Sequence, residues 1–197
     1  MLQAEKRRLR EEKILSTLDS LGYATRKQLQ LIEQLGGDRN AHRILKEMER
    51  DKLIGSQRSE QKIYYVAARG RDAIGSTKDE LRTGKMKHTL MRNEMYIQLG
   101  MPDDWRTEVP VTWRENKLIS DAMYHVKGEV HFLEVDNTQP MRTNYEKIKK
   151  YSVLSRIIFE TRKHTPTLIW CTTSHSRKTK LEEACKKSAV KYRILVI

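Results

Sequence analysis

Apolar residues in the first eighty positions recur with helical spacing. Leu9, Ile14, Leu18 and Leu21 mark one helix over residues 5–21, and Gly22 ends it. Thr25 is a good N-cap for RKQLQLIEQL, where Leu29, Ile32 and Leu35 form a stripe. Gly36-Gly37 interrupts that helix, and Asp38 is placed to cap a third, RNAHRILKEMERD. There Ala41, Ile44, Leu45 and Met48 fall at i, i+3, i+4 and i+7 and face a core. Arg39, Asn40, His42, Arg43 and Lys46 are left outward. The period then shortens: Leu53-Ile54 and Lys62 to Val66 read as two short strands around a polar tip at Arg58 to Gln61. Arg69-Gly70-Arg71 leads into one more short helix.

Three helices followed by a hairpin is the order of a winged helix-turn-helix. In that fold the third helix enters the major groove and the wing touches the backbone or minor groove. Arg39, Asn40 and Arg43 lie at the end of the helix where base contacts are usual. Arg and Asn suit bidentate contacts with guanine and adenine. Lys46, Arg58 and Lys62 are the expected phosphate contacts, which position without specifying sequence. The competing reading is a winged helix used for protein assembly, its bases merely solvated. His42 reads as an exposed helix residue.

Residues 75–85, GSTKDELRTGK, are polar and glycine-flanked. They divide the chain into an expected DNA-binding domain, 1–77, and a second domain, 85–197. Alternatively, Lys78 to Leu81 extend a helix. The second domain opens on a helix carrying Leu90, Met91, Met95, Ile97 and Leu99. Strands are predicted over 106–113, 118–126 and 129–136, with a tight turn at Lys127-Gly128. A long helix from Met141 to about Glu160, the strand PTLIWCTT, the helix RKTKLEEACKK and the strand YRILVI complete it. A meander followed by alternating helices and strands predicts an α+β domain with a mixed sheet.

Charge adds a partner to this layout. The 197 residues hold 39 Lys and Arg against 26 Asp and Glu, a net charge of +13. Such an excess points to a polyanion, here double-stranded DNA. It is uneven: residues 81–140 hold 8 bases and 9 acids, whereas residues 141–197 hold 14 bases and 4 acids. No run of 18 apolar residues exists, so no membrane span is expected. The N-terminus lacks a signal peptide's apolar stretch, and the two cysteines, Cys171 and Cys185, form no CxxC pair. A cytoplasmic protein with free thiols is the resulting expectation.

The strands contain three carboxylates among apolar residues: Asp121, Glu134 and Asp136. Alternation puts Glu134 and Asp136 on one face of their strand, and pairing around the Lys127-Gly128 turn brings Asp121 near Glu134. Two carboxylates ~4 Å apart repel by roughly 4 kcal/mol at an effective dielectric near 20. A divalent cation held by Asp121 and Glu134, a shared proton or a basic side chain is needed to relieve this. Mg²⁺ or Mn²⁺ would suit the oxygen ligands. Lys147, Arg142 and Lys149 are the candidate bases, with Lys147 and Tyr151 four apart on one helical face.

This arrangement resembles the core of the PD-(D/E)xK nuclease fold, with Asp121 and Glu134 matching its two acids and Glu94 its helical acid. The resemblance implies a catalytic set of Asp121, Glu134, Asp136 and Lys147. Two positions depart from it: Asp136 stands where the motif has its water-activating lysine, and Ser120 replaces the proline. A narrower resemblance joins the winged helix, Asp121-Ala122, Phe132 to Asp136, and Lys147 with Tyr151. Together these are similar to the replication-relaxation family of plasmid and mobile-element proteins. That resemblance implies DNA binding in plasmid replication or DNA topology and leaves the nuclease question open; Asp136 in place of the lysine leans toward a degenerate nuclease-like domain, with no cofactor unless the site is active and takes Mg or Mn. The alternatives are a Mg- or Mn-dependent endonuclease or nickase, and a protein-assembly module. A homodimer is compatible with each.

Overall fold

A computed structural model describes residues 2–78 and 83–197. The chain forms two compact units, Met1–Ile97 and Gln98–Ile197. The proposed helical extension over Lys78 to Leu81 falls largely on residues 79–82, outside those described. Among the described residues there are seven α-helices and two sheets, a mixed α+β architecture as the pattern predicted.

The first unit contains α1 (Leu2–Leu21), β1 (Ala24–Thr25), α2 (Arg26–Ile32), α3 (Asp38–Arg50), β2 (Ile54–Arg58), β3 (Lys62–Val66) and α4 (Ala68–Ile74). Its antiparallel sheet has the order β1-β3-β2. Ile14, Leu18, Leu29, Ala41, Leu45 and Met48 converge in one core, each of the larger side chains worth about 1.5–3 kcal/mol when buried. Leu9 is not part of it: the side chain is half exposed, because α1 enters the core only from Ile14 onward. Thr25 caps α2 as predicted. Its hydroxyl accepts from the Gln28 N–H, and the Gln28 side chain accepts from the Thr25 N–H, a complete capping box. Asp38 is the first residue of α3 rather than its cap. The N-cap is Gly37, and the Asp38 carboxylate instead accepts from Arg26 at 3.2 Å. Gly70 lets α4 lie against the β2 approach, since a Cβ there would stand 2.0 Å from the Leu53 carbonyl oxygen.

Helix α5 (Met86–Gln98) was expected to open the second domain, yet it is anchored on the first unit. The Arg92 guanidinium donates to Leu21 O at 2.9 Å, the Asn93 amide to Tyr23 O at 2.6 Å and the Gln28 amide to Leu90 O at 3.0 Å. The first of these uses the Leu21 carbonyl at the end of α1, which the helix itself leaves unpaired.

The second unit contains β4 (Arg106–Trp113), β5 (Asn116–Val126), β6 (Glu129–Asp136), α6 (Met141–Arg162), β7 (Thr167–Thr172), α7 (His175–Lys187) and β8 (Tyr192–Val196). The sheet runs β4-β5-β6-β7-β8, antiparallel through β6 and parallel from β6 to β8, with α6 and α7 as the crossovers. Lys127 at φ 50° and Gly128 at φ 83° form the β5–β6 turn, the positive pair that suits strand twist. Every residue of β7 is buried, as a strand covered on both faces requires. Val130, Phe132, Leu168, Trp170 and Ile194 pack against Ile148, Tyr151, Leu154, Leu181 and Cys185 of the two helices.

Candidate functional site

Glu134 and Asp136 continue the inward face begun by Val130 and Phe132, so the sheet buries both completely. A carboxylate there needs a partner of its own, and each has one. The Lys147 ammonium pairs with Glu134 Oε2, and the Tyr151 hydroxyl donates to Glu134 Oε1 at 2.6 Å. Asp136 is held by the Arg177 guanidinium through Nε at 2.6 Å and Nη2 at 2.5 Å. Thr172 adds a bond at 2.8 Å and Asn144 one at 2.7 Å. The Gln139 side-chain amide donates to Asn144, and the Gln139 carbonyl accepts from Arg177 at 2.7 Å. The fork of Arg177 thus ties the start of α7 to the end of β6.

Asp121 joins from β5 at a break in the ladder. Regular β5–β6 pairing stops at Ala122 opposite Leu133. Beyond it, Asp121 Oδ2 accepts the Val135 N–H at 2.7 Å, and the Ser120 hydroxyl donates to the Ala122 and Leu133 carbonyls. On the β4 side the facing residue, Glu108, sits at φ 50°. Such local distortions re-aim side chains, and this one sets Asp121 beside Glu134. Burial first, and then the Asp121 charge, push the Glu134 carboxyl up to about 8, against the pull of Lys147. Lys147 is raised: burial works against its charge, but Glu134 and Asp121 outweigh it. Asp136 behaves oppositely. Burial alone would raise it, but the bonds from Arg177, Asn144 and Thr172 hold it below the usual carboxylate range.

Of the expected bases, Lys147 reaches Glu134 only. Arg142 pairs with Glu146 at 3.2 Å on the surface, and Lys149 is exposed. Arg177, the partner of Asp136, had no signal in the sequence because it comes from another helix 41 residues away. Asn144 was legible: with Lys147 and Tyr151 it stands at i, i+3 and i+7, all on the sheet side of α6. Among the described residues, no group of three or more His, Cys, Asp or Glu is arranged to hold a metal ion.

In the first unit, Arg39, Asn40, Arg43 and Lys46 are exposed on α3, and Arg58 and Lys62 on the hairpin. Arg43 donates to Asn40 at 2.9 Å and to Glu47 at 2.8 Å, while the Asn40 amide donates to Leu35 O at 2.8 Å. Lys62 pairs with Glu49 at 2.6 Å. Arg39, Lys46 and Arg58 make no ion pair among the described residues.

The family profile for replication-relaxation proteins matches residues 15–168, more than three-quarters of the chain. The chain belongs to the replication-relaxation family. The match spans both α3 and the Asp121–Glu134–Lys147 site. No curated protein matches the sequence. Among solved structures, protein VC1899 from Vibrio cholerae is similar at 15% identity and a TM-score of 0.37, over 95% of this chain and 48% of that one. Can2 from Sulfobacillus thermosulfidooxidans, solved with cyclic tetra-adenylate, is similar at 10% identity and a TM-score of 0.35, over 94% and 50%. This replication-relaxation chain spans about half the length of either, and at these TM-scores neither overlay bears on function. No helix among the described residues is long and apolar enough to cross a membrane.

Proposed function

We propose that this protein binds duplex DNA through residues 1–77, as a winged helix-turn-helix, and that its second unit is a nuclease-like domain that does not cut. The observation that carries this reading is the separate pairing of the two buried acids. Lys147 and Tyr151 engage both oxygens of Glu134, and Arg177, Asn144 and Thr172 engage both oxygens of Asp136. Acids satisfied in this way serve as a structural clamp on β6, α6 and α7 and have no need of a cation. The outward set on α3 supplies the contacts with DNA. Arg43 and Asn40 are pre-oriented by their mutual bond, and Arg39, Lys46 and Arg58 are free for phosphates. Incubation of the protein with supercoiled DNA and Mg²⁺ or Mn²⁺ tests both halves. Retarded, intact DNA is the expected outcome. Nicked or linear product would replace this reading with a metal-dependent endonuclease, and an absence of any retardation would favour an assembly module.

A further inference from the structure

Helix α6 has a second face. Asn144, Ile148, Tyr151 and Leu154 point into the unit, and the opposite side is open to solvent. On that open side a base recurs every seventh residue: Arg142, Lys149, Arg156 and, at the C-cap, Lys163, all exposed. Seven residues are nearly two turns, so the four lie along one stripe about 10.5 Å apart, drifting only ~20° per repeat. Between them, at the same interval, stand Tyr145, Ser152 and Phe159, the row nearer α7, where the Ser152 hydroxyl donates to Ser188 O at 2.7 Å. Tyr145 is 38% exposed and Phe159 54%, on a helix that buries its other aromatic, Tyr151, almost completely. Arg142 is partly neutralised by Glu146. Lys149, Arg156 and Lys163 have no ion-pair partner among the described residues, and Glu146 and Glu160 are the acids flanking the stripe.

The 3-4 spacing of Tyr145, Lys149, Ser152, Arg156, Phe159 and Lys163 is also that of a coiled-coil seam. A second copy is a poor occupant, because it would set Lys149 and Arg156 against the same cations. Duplex DNA fits the bases of the stripe but buries its own base faces in the stack, leaving both rings in water. A single strand fits both features: its phosphates meet the cations and its unstacked bases meet the rings. We propose that the outer face of α6 is a track for single-stranded DNA. This goes beyond duplex reading by α3 and stands if that reading fails.

The test uses the full chain and fluorescence anisotropy with oligothymidylate and with a random duplex of equal length, across a salt series. Three variants are compared: Lys149→Ala with Arg156→Ala, Tyr145→Ala with Phe159→Ala, and Arg43→Ala. Lys149 and Arg156 are exposed, whereas Tyr145 and Phe159 are partly covered, so circular dichroism and melting of each variant are measured alongside binding. The charge variant should flatten the log–log salt slope for the single strand by about 1.4, two phosphates at ~0.7 each. The ring variant should weaken single-strand binding at least about tenfold with the slope unchanged and duplex binding intact. Arg43→Ala should leave single-strand binding unaltered, which separates the α6 track from the α3 reading. Unchanged single-strand affinity in the ring variant would overturn the proposal. So would equal losses on both DNAs, or a change of oligomeric state in sedimentation with DNA binding untouched.

Discussion

Glu134 and Asp136 stand two residues apart on β6 and respond to burial in opposite ways. Asp136 stays ionised because Arg177 is locked onto it, whereas Glu134 shares its surroundings with Asp121 and is pushed up to about 8. Removing the partner bases should therefore have unequal costs. Arg177→Ala removes the charge that keeps the fully buried Asp136 ionised, leaving the carboxylate either unpaired or driven to take up a proton against the bonds that Asn144 and Thr172 still donate, and about 3–5 kcal/mol of stability should be lost at neutral pH. Lys147→Ala should cost less, about 1–3 kcal/mol, because Glu134 can neutralise itself by keeping a proton. Urea titrations of the two variants decide this, and equal or reversed costs would contradict it. The same difference predicts a pH effect. Glu134 has a folded pKa near 8 against an ordinary 4.5, so the folded state holds a proton that the unfolded chain releases between these values. Its contribution is full below 4.5 and falls as pH rises through about 8, by at most about 1.4 kcal/mol per pH unit. Lys147, raised in the fold, likewise loses its contribution only as pH rises through its folded value. Asp136, depressed, contributes above 3.8 and loses that as pH falls through its folded value. Glu134→Gln should flatten the decline between pH 4.5 and 8, read as melting temperature against pH.

At the scale of elements, α3 and α6 each divide their two faces between core and surface. On α3, Ala41, Ile44, Leu45 and Met48 fill the first core, which leaves Arg39, Asn40 and Arg43 outward by helical periodicity. Arg43 holds Glu47 and Asn40 in the free protein, but exposed pairs of this kind are worth little and exchange readily for a base edge. Arg43→Ala should weaken a preferred duplex site by about 1–3 kcal/mol and relax base preference there, measured by gel shift across site variants. Unaltered affinity and unaltered preference would remove α3 as the reading helix. On α6 the inward face carries Asn144, Lys147 and Tyr151 to the acids, so the helix that completes the core also assembles the polar cluster. The periodicity of α3 and the long amphipathic run of α6 were both visible in the sequence. The ladder break at Ser120 and Asp121 was not, because it depends on bonds to Val135 and Leu133 across the sheet.

For the whole molecule, the question is whether the carboxylate cluster holds an ion or holds the fold together. If Lys147 and Arg177 are its counterions, Mg²⁺ or Mn²⁺ should leave the melting temperature unmoved. A cation bound to the native state would raise it by mass action, and Asp121→Ala would abolish that rise. A thermal-shift series with and without each ion, on the parent and Asp121→Ala, gives the answer. A metal-dependent rise lost in the variant would overturn the structural role.

The order of helices and strands, the capping of α2, the Lys127-Gly128 turn and the basic C-terminal segment were determined by the sequence itself. Each rests on interactions within a few residues: helical or alternating periodicity, a side chain bonding its own helix end, a turn with two positive φ angles. The family resemblance was legible for the same reason, since Asp121-Ala122, Phe132 to Asp136, and Lys147 with Tyr151 are local patterns. Tertiary structure alone decided three things. Helix α5 joined the first unit because its polar side chains meet the carbonyls of Leu21 and Tyr23, some 70 residues earlier. Arg177, rather than Arg142 or Lys149, took Asp136 because the β7–α7 crossover delivers its guanidinium to the end of β6. The rise of the Glu134 carboxyl to about 8 comes from complete burial beside Asp121, and burial is a property of the packed sheet and helices that no single segment carries.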